Sequence, residues 1–339
     1  MRFGPFPLED APGAILAHSQ AVPGGRLRKG RVLDRDDIAA LRAAGLAQVI
    51  AARLDPGEVG EDAAAARLAA ALVPDPATAG LRVTDATTGR VNLYATGPGV
   101  LRLDAGAVNA LNRIDPMLTV ATLPPFARVA AGTMVATIKV ISYGVDGDAL
   151  QRAEAAGQGA GQGVGQGAMA IAPVRLRSAG LILTEMPGQG PSPQKGETAI
   201  ALRLDALGME LTETRVVAHD AEAIRQALRD LPGELVLILT ASATSDVHDV
   251  APAAVVGAGG RLTRYGMPVD PGNLLFLAEL DDRPVIGLPG CARSPALNGA
   301  DWVLERIACG IPVDDDAIAA MGVGGLLKES PARPHPREG

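Results

Sequence analysis

Residues 234–252 read ELVLILTASATSDVHDVAP, and their pattern decides the fold. An apolar run ends at Leu239. Small and hydroxyl residues follow at Thr240, Ala241, Ser242, Ala243, Thr244 and Ser245, then Asp246, His248 and Asp249. Five consecutive apolar residues bounded by turn residues describe a strand buried on both faces, as in parallel sheets covered by helices. Ligands of such sheets bind at the carboxyl ends of the strands. A carboxylate a few residues beyond such a loop, Asp246 or Asp249 here, can hold a metal ion or a polar head group. The same residues also read as an ordinary strand-to-helix turn, with hydroxyls and Asp serving as caps.

Working outward, residues 262–299 read LTRYGMPVDPGNLLFLAELDDRPVIGLPGCARSPALNG. They hold a Gly266-Met267-Pro268 turn and an Asp270 to Asn273 turn. A strand and tight turn follow over 274–282, then a strand over 284–288 that runs into Pro289-Gly290-Cys291 and a helix containing Trp302. Upstream, strands are expected at 169–177, 179–184 and 211–218. Lys195-Gly196-Glu197 opens a helix that runs to Leu207, and His219-Asp220 caps another over 221–230. Strands alternating with helices imply crossover connections and a three-layer α/β domain with a mostly parallel sheet. The carboxyl ends of 179–184, 235–239 and 284–288 should then form one edge.

This order of elements resembles the molybdopterin-binding module of molybdopterin adenylyltransferases and molybdenum insertases. That family carries a Thr-Gly-Gly-Thr-Gly type loop with an Asp-Val shortly after it, and a Leu-Pro-Gly-Asn/Ser-Pro loop before its last helix. Here the loop glycines fall on Ser242 and Ala243, and the family's Asp falls on Asp249 of His248-Asp249-Val250, so the resemblance implies Asp249, then Asp246, as catalytic residues and Asp249 as metal ligand. Cys291 stands where the family has Asn or Ser. A further family loop is echoed by Thr184-Glu185-Met186-Pro187-Gly188. The resemblance spans roughly residues 173–310. It implies molybdopterin as ligand, Mg2+ where nucleotidyl transfer or adenylate cleavage is catalysed, and a homo-oligomer. The implied binding residues are Thr184, Glu185, Thr240, Ser242, Thr244, Ser245, Asp270, Gly272, Pro289, Gly290 and Cys291. Similar modules occur fused ahead of a nucleotidyltransferase domain, so a separate nucleotidyltransferase is an expected partner. A nucleotide pyrophosphate hydrolase built on the same module and a non-catalytic scaffold or carrier are the alternatives.

Composition narrows the class. The chain has 339 residues, 47% hydrophobic but only 2% aromatic, and a net charge of −7. Scarce aromatics argue against base-stacking nucleic-acid modules, and the negative charge argues against a phosphate-backbone binder. The opening MRFGPFPLEDAPGAILAHS lacks the apolar run of a signal peptide, and nothing later has the length of a membrane span. A cytoplasmic location is expected. Two cysteines, Cys291 and Cys309, offer neither metal spacing nor a disulfide framework.

The N-terminal half, residues 1–156, reads as a mixed α+β region. Helices are expected from Asp34 to Ala44, over 61–72, over 109–115 and over 148–156, with strands at 48–53, 81–84, 89–95, 99–103, 117–122 and 134–142. Arg90 and Asn92 follow a polar turn, and Lys139 sits inside an apolar strand; each could face an anion or simply be solvated. GQGAGQGVGQGA, residues 157–168, reads as a flexible linker to a domain over 169–327, and 328–339 as a disordered tail.

Overall fold

A computed structural model describes residues 1–159, 167–186, 188 and 190–329. The chain divides into two compact units, Met1–Gly97 with Leu101–Ile171, and Pro98–Val100 with the chain from Ala172 onward. The first unit takes in residues 169–171, which the sequence placed after the linker. Most of that linker (160–166), the tail beyond 329 and Pro187 lie outside the described residues. Among the described residues, no helix is long and apolar enough to cross a membrane.

The first unit is built from small antiparallel sheets and short helices. Arg2–Pro7 and Ile15–Leu16 flank Gln48–Arg53 in a three-stranded sheet. Pro5 and Pro7 hid the first of these strands from the sequence reading. They are tolerated because the strand pairs on one side only, so a missing N–H breaks no inner ladder. Asp34 caps the helix Arg35–Ala43 and closes a capping box with Asp37, worth about 1 kcal/mol. A four-stranded antiparallel sheet runs in the order Leu118–Thr122, Met134–Val140, Arg90–Ala95, Leu81–Val83. The helix Glu61–Leu72 buries Ala64, Ala65, Leu68 and Leu72 in the same core. The helix expected over 109–115 instead spans Ala105–Asn112, because Asp104 accepts from the Ala107 N–H and starts it earlier. Lys139 is paired locally: it donates to the Thr88 carbonyl and lies 3.7 Å from Glu61. Asn92 accepts from the Thr137 hydroxyl at 2.8 Å.

The second unit is an α/β domain. Its elements are β1 (Ser178–Glu185), α1 (Pro193–Asp205), β2 (Glu210–Ala218), α2 (Ala221–Arg229), β3 (Leu235–Leu239), α3 (Val250–Gly257), β4 (Arg261–Tyr265), β5 (Phe276–Leu280), β6 (Arg283–Leu288) and α4 (Gly299–Ala308). The six strands lie in the order β2-β1-β3-β6-β5-β4. The first three neighbouring pairs are parallel and the last two antiparallel. Period-two alternation separates two cores. Leu181, Leu183, Leu235, Leu237, Leu239, Ile286 and Leu288 meet α1 and α4 on one face. Ile182, Val236, Ile238 and Val285 meet α2 and α3 on the other. Across the sheet Phe276 lies opposite Gly287. A Cβ on Gly287 would sit 1.9 Å from the Phe276 ring, so glycine is what admits that aromatic side chain.

This strand order positions the site. From β1 the chain moves outward through α1 to β2, then returns across β1 through α2 to β3. The crossovers lie on opposite faces, so a crevice opens between the carboxyl ends of β1 and β3. Open α/β sheets bind ligands at such a topological switch point.

Candidate functional site

The loop after β3 is held together by its own hydroxyls. Thr240 is buried; its hydroxyl donates to the Ser242 carbonyl at 2.6 Å and lies 3.4 Å from the Thr244 hydroxyl. Thr244 is also buried, and its carbonyl accepts from the Tyr265 hydroxyl at 2.9 Å. Ser242 and Ser245 are exposed. The Ser245 hydroxyl donates to the Ala243 carbonyl at 3.3 Å.

Asp249 is the N-cap of α3. Its Oδ1 accepts from the Val250 N–H at 2.7 Å and its Oδ2 from the Ser245 N–H at 2.9 Å. Asp246 shapes the same turn, accepting from the His248 N–H at 2.8 Å. Burial first, then the charges of Asp246 and Asp249, pushes the Tyr265 hydroxyl pKa up. No hydrogen bond or ion pair among the described residues links either carboxylate to the 289–293 loop.

The end of β1 is tied directly to the β3 loop. The buried Thr184 hydroxyl oxygen accepts from the Ala241 N–H at 2.7 Å. That hydroxyl also lies 2.9 Å from His219 Nδ1. The exposed Glu185 contributes its carbonyl, which accepts from the His219 N–H at 3.1 Å. The ends of β1, β2 and β3 are thereby joined through one side chain.

The loop after β6 is organised from beneath by Arg203 of α1. This buried guanidinium donates to Asp301 at 2.5 Å and to the carbonyls of Ala199, Ala292, Ser294 and Ala296. Asp301 also closes a capping box with Asn298 at the start of α4. Pro289 is buried, whereas Gly290 and Cys291 face solvent. Arg293 reaches back from this loop, and its Nη2 donates to the Thr240 carbonyl at 2.7 Å. Its Nε is buried without a hydrogen-bond partner among the described residues. Burial alone pushes its pKa down.

The structure thus brings Thr184, Thr240, Ser242, Thr244, Pro289 and Gly290 to one edge. Cys291 is exposed as a residue, while partial burial of its thiol pushes the pKa up. Asp270 pairs with Lys328 at 2.8 Å. Gly272 is buried, and a Cβ there would lie 2.8 Å from the Gly299 N, so its role in the fold is close backbone packing. Sequence reasoning missed Arg203, Arg293 and His219. The available signals were a guanidinium amid the apolar residues of α1, an arginine four residues after Pro289, and a histidine one residue beyond β2.

Among the described residues this edge holds no cluster of metal-ligating side chains. Both Asp249 oxygens and one of Asp246 already accept main-chain N–H bonds. Among the described residues no group of three or more His, Cys, Asp or Glu could hold a metal ion. Mg2+ is bound through one or two protein carboxylates with waters and phosphates filling the rest; here the two candidate carboxylates serve as a helix cap and a turn former.

A family model described as a domain of unknown function, DUF8806, matches residues 5–53. No curated protein matches the chain. Among solved structures, it is similar to the molybdopterin biosynthesis MoeA protein from Pyrococcus horikosii. The identity is 13%, the TM-score 0.32, and the match covers 91% of this chain and 75% of that one. A second similar structure is molybdenum cofactor biosynthesis protein B, at 14% identity and a TM-score of 0.29, covering 40% of this chain and 96% of that one. At these scores the likenesses carry no argument about activity. The site's chemistry is argued from its own residues.

Proposed function

We propose that this protein binds molybdopterin, or its adenylate, at the carboxyl edge of the second unit's sheet, and serves in molybdenum cofactor assembly. The observation that carries this reading is the joining of three strand-end loops at the switch point. Thr184 ties β1 to the β3 loop, and Arg293 ties that loop to the one after β6. These are the loops whose motif order resembles the molybdopterin-binding module. Exposed Ser242 and Ser245 hydroxyls, together with the exposed backbone at Gly290, offer polar contacts to a pterin.

The reading favours binding over turnover. Asp249 and Asp246 serve as a helix cap and a turn former, and the glycines of the related loop are replaced here by Ser242 and Ala243. A carrier that hands its ligand to a separate nucleotidyltransferase is consistent with that arrangement, as is assembly with further copies of the chain.

The test is anaerobic titration of the purified protein with molybdopterin and with adenylylated molybdopterin, with Mg2+ and ATP or CTP supplied. Binding without nucleotide consumption supports a carrier. Binding with slow consumption would restore the enzymatic reading and return Asp249 to the chemistry. Absence of binding to either ligand refutes the pterin reading. Release of mononucleotide from a pyrophosphate-linked substrate would favour the nucleotide hydrolase instead.

A further inference from the structure

Arg293 is a cation without a counter-charge. It lies half-buried between the loops after β3 and β6, and no carboxylate among the described residues pairs with it. Its stem passes Gly196 of α1, where a Cβ would be 3.9 Å from the Arg293 Cγ. Its Nη2 is anchored on the Thr240 carbonyl, and its Nε is shut away without an acceptor. What remains is Nη1, for which no hydrogen bond appears among the described residues. A Cβ built on Gly290 would lie 3.9 Å from that nitrogen and meet nothing else within 4 Å. Gly290 is exposed, so the space before Nη1 is open.

Arg203 gives the contrast. It lies under the same loop, deeper, and is matched by Asp301 and by four carbonyls. Proteins pair buried charges because desolvation otherwise goes uncompensated. The fold meets that requirement for Arg203, whereas among the described residues it supplies no carboxylate to Arg293. The burial that pushes the Arg293 pKa down is consistent with a partly dehydrated cation.

We infer that Arg293 is the anion-recognition group of this site, engaging a phosphate or pyrophosphate of the ligand through Nη1 in the space that Gly290 leaves open. The inference rests on the proposed pterin reading for the identity of the ligand, but not for its anionic character. Guanidinium is suited to the task because it is planar, permanently charged and weakly hydrated. Anchoring at Nη2 fixes the plane in advance, so less side-chain freedom is lost on binding.

Two variants separate recognition from folding. Arg293→Gln removes the charge and keeps a donor near Thr240. Gly290→Leu leaves Arg293 in place and fills the space before it. Gly290 does not need a positive φ, so a side chain there brings no backbone strain. The full chain and both variants are titrated anaerobically with molybdopterin and separately with inorganic pyrophosphate, at low and high salt, with thermal unfolding recorded alongside. The expected result is at least a tenfold loss of affinity for both probes in each variant, with unfolding temperatures close to the parent. Arg293→Lys should recover part of the pyrophosphate binding as a point charge. Unchanged affinity in Arg293→Gln overturns the inference while leaving the pterin reading intact. Pyrophosphate binding that depends on Arg293, without any molybdopterin binding, keeps the inference and refutes the pterin reading.

Discussion

The loops after β3 and β6 reach the same edge of the sheet and are held there by opposite means. Within itself the 240–249 loop is fastened by short local contacts, Thr240 to Ser242, Ser245 to Asp249 and Asp246 to His248, and three long-range bonds from Thr184, Tyr265 and Arg293 tie it to its neighbours. The 289–298 loop is fastened from a distance by Arg203, whose sequence separation from its partners there is 89 to 93 residues. Local fastening is inexpensive to lose, because water replaces an exposed hydrogen bond. A buried guanidinium that satisfies one carboxylate and four carbonyls cannot be removed without leaving unpaired groups behind. The exposed contacts of the 240–249 loop should therefore tolerate change, whereas the 289–298 loop should collapse as a unit.

The largest effect should come from Arg203→Ala or Asp301→Ala. Breaking a buried ion pair on one side costs about 3–5 kcal/mol, read as a fall in the urea midpoint. The 289–298 segment should lose hydrogen-exchange protection before the sheet does. A loss below about 1 kcal/mol would show that the loop holds itself.

Next comes Thr184→Val, which keeps shape but strips the acceptor from the Ala241 N–H. An unsatisfied buried donor costs about 1–3 kcal/mol. If stability is unchanged, the link between β1 and the β3 loop is not structural. Smaller again is Asp249→Ala. Losing an N-cap costs about 1 kcal/mol, and Asn in its place should restore most of it. If Asp249→Asn were neutral for stability yet abolished turnover, Asp249 would have to be returned to catalysis.

The smallest effect at neutral pH lies in the cysteines. Burial, then Glu305, holds the Cys309 thiol pKa up to about 11, against about 8.5 in an unfolded chain. The fold therefore favours the protonated thiol. That contribution is fully present below about pH 8.5 and is lost as pH rises toward 11. Cys309→Ala should flatten the alkaline arm of the stability curve. At pH 8 an alkylating reagent should modify exposed Cys291 and spare buried Cys309. Equal modification would mean that the end of α4 opens readily.

The same division into local and distant contacts explains what the sequence disclosed. The buried strand 235–239, the capping at Asp34 and Asp220, and the Pro-Gly turn after Leu288 depend on neighbours within a few residues, and each is present. The strand Arg2–Pro7 was hidden by its prolines, which matter only when both edges are paired. The start of the helix at Asp104 was passed over because its capping signal lay beyond the expected boundary. The site divides in the same way. Thr184, Thr240 and Gly290 were legible from strand ends and turns. Arg203 and Arg293 were not, since which arginine meets a carboxylate and which is left unmatched depends on packing between elements far apart in the chain.

The most direct test is hydrogen–deuterium exchange on the full chain, under anaerobic conditions, with and without saturating molybdopterin. The account predicts new protection concentrated in the segments around Thr184, Thr240 to Asp249 and Pro289 to Asn298. The strands of the first unit should be unchanged. Ligand-dependent protection that appears elsewhere and leaves those three loops unaffected would contradict it.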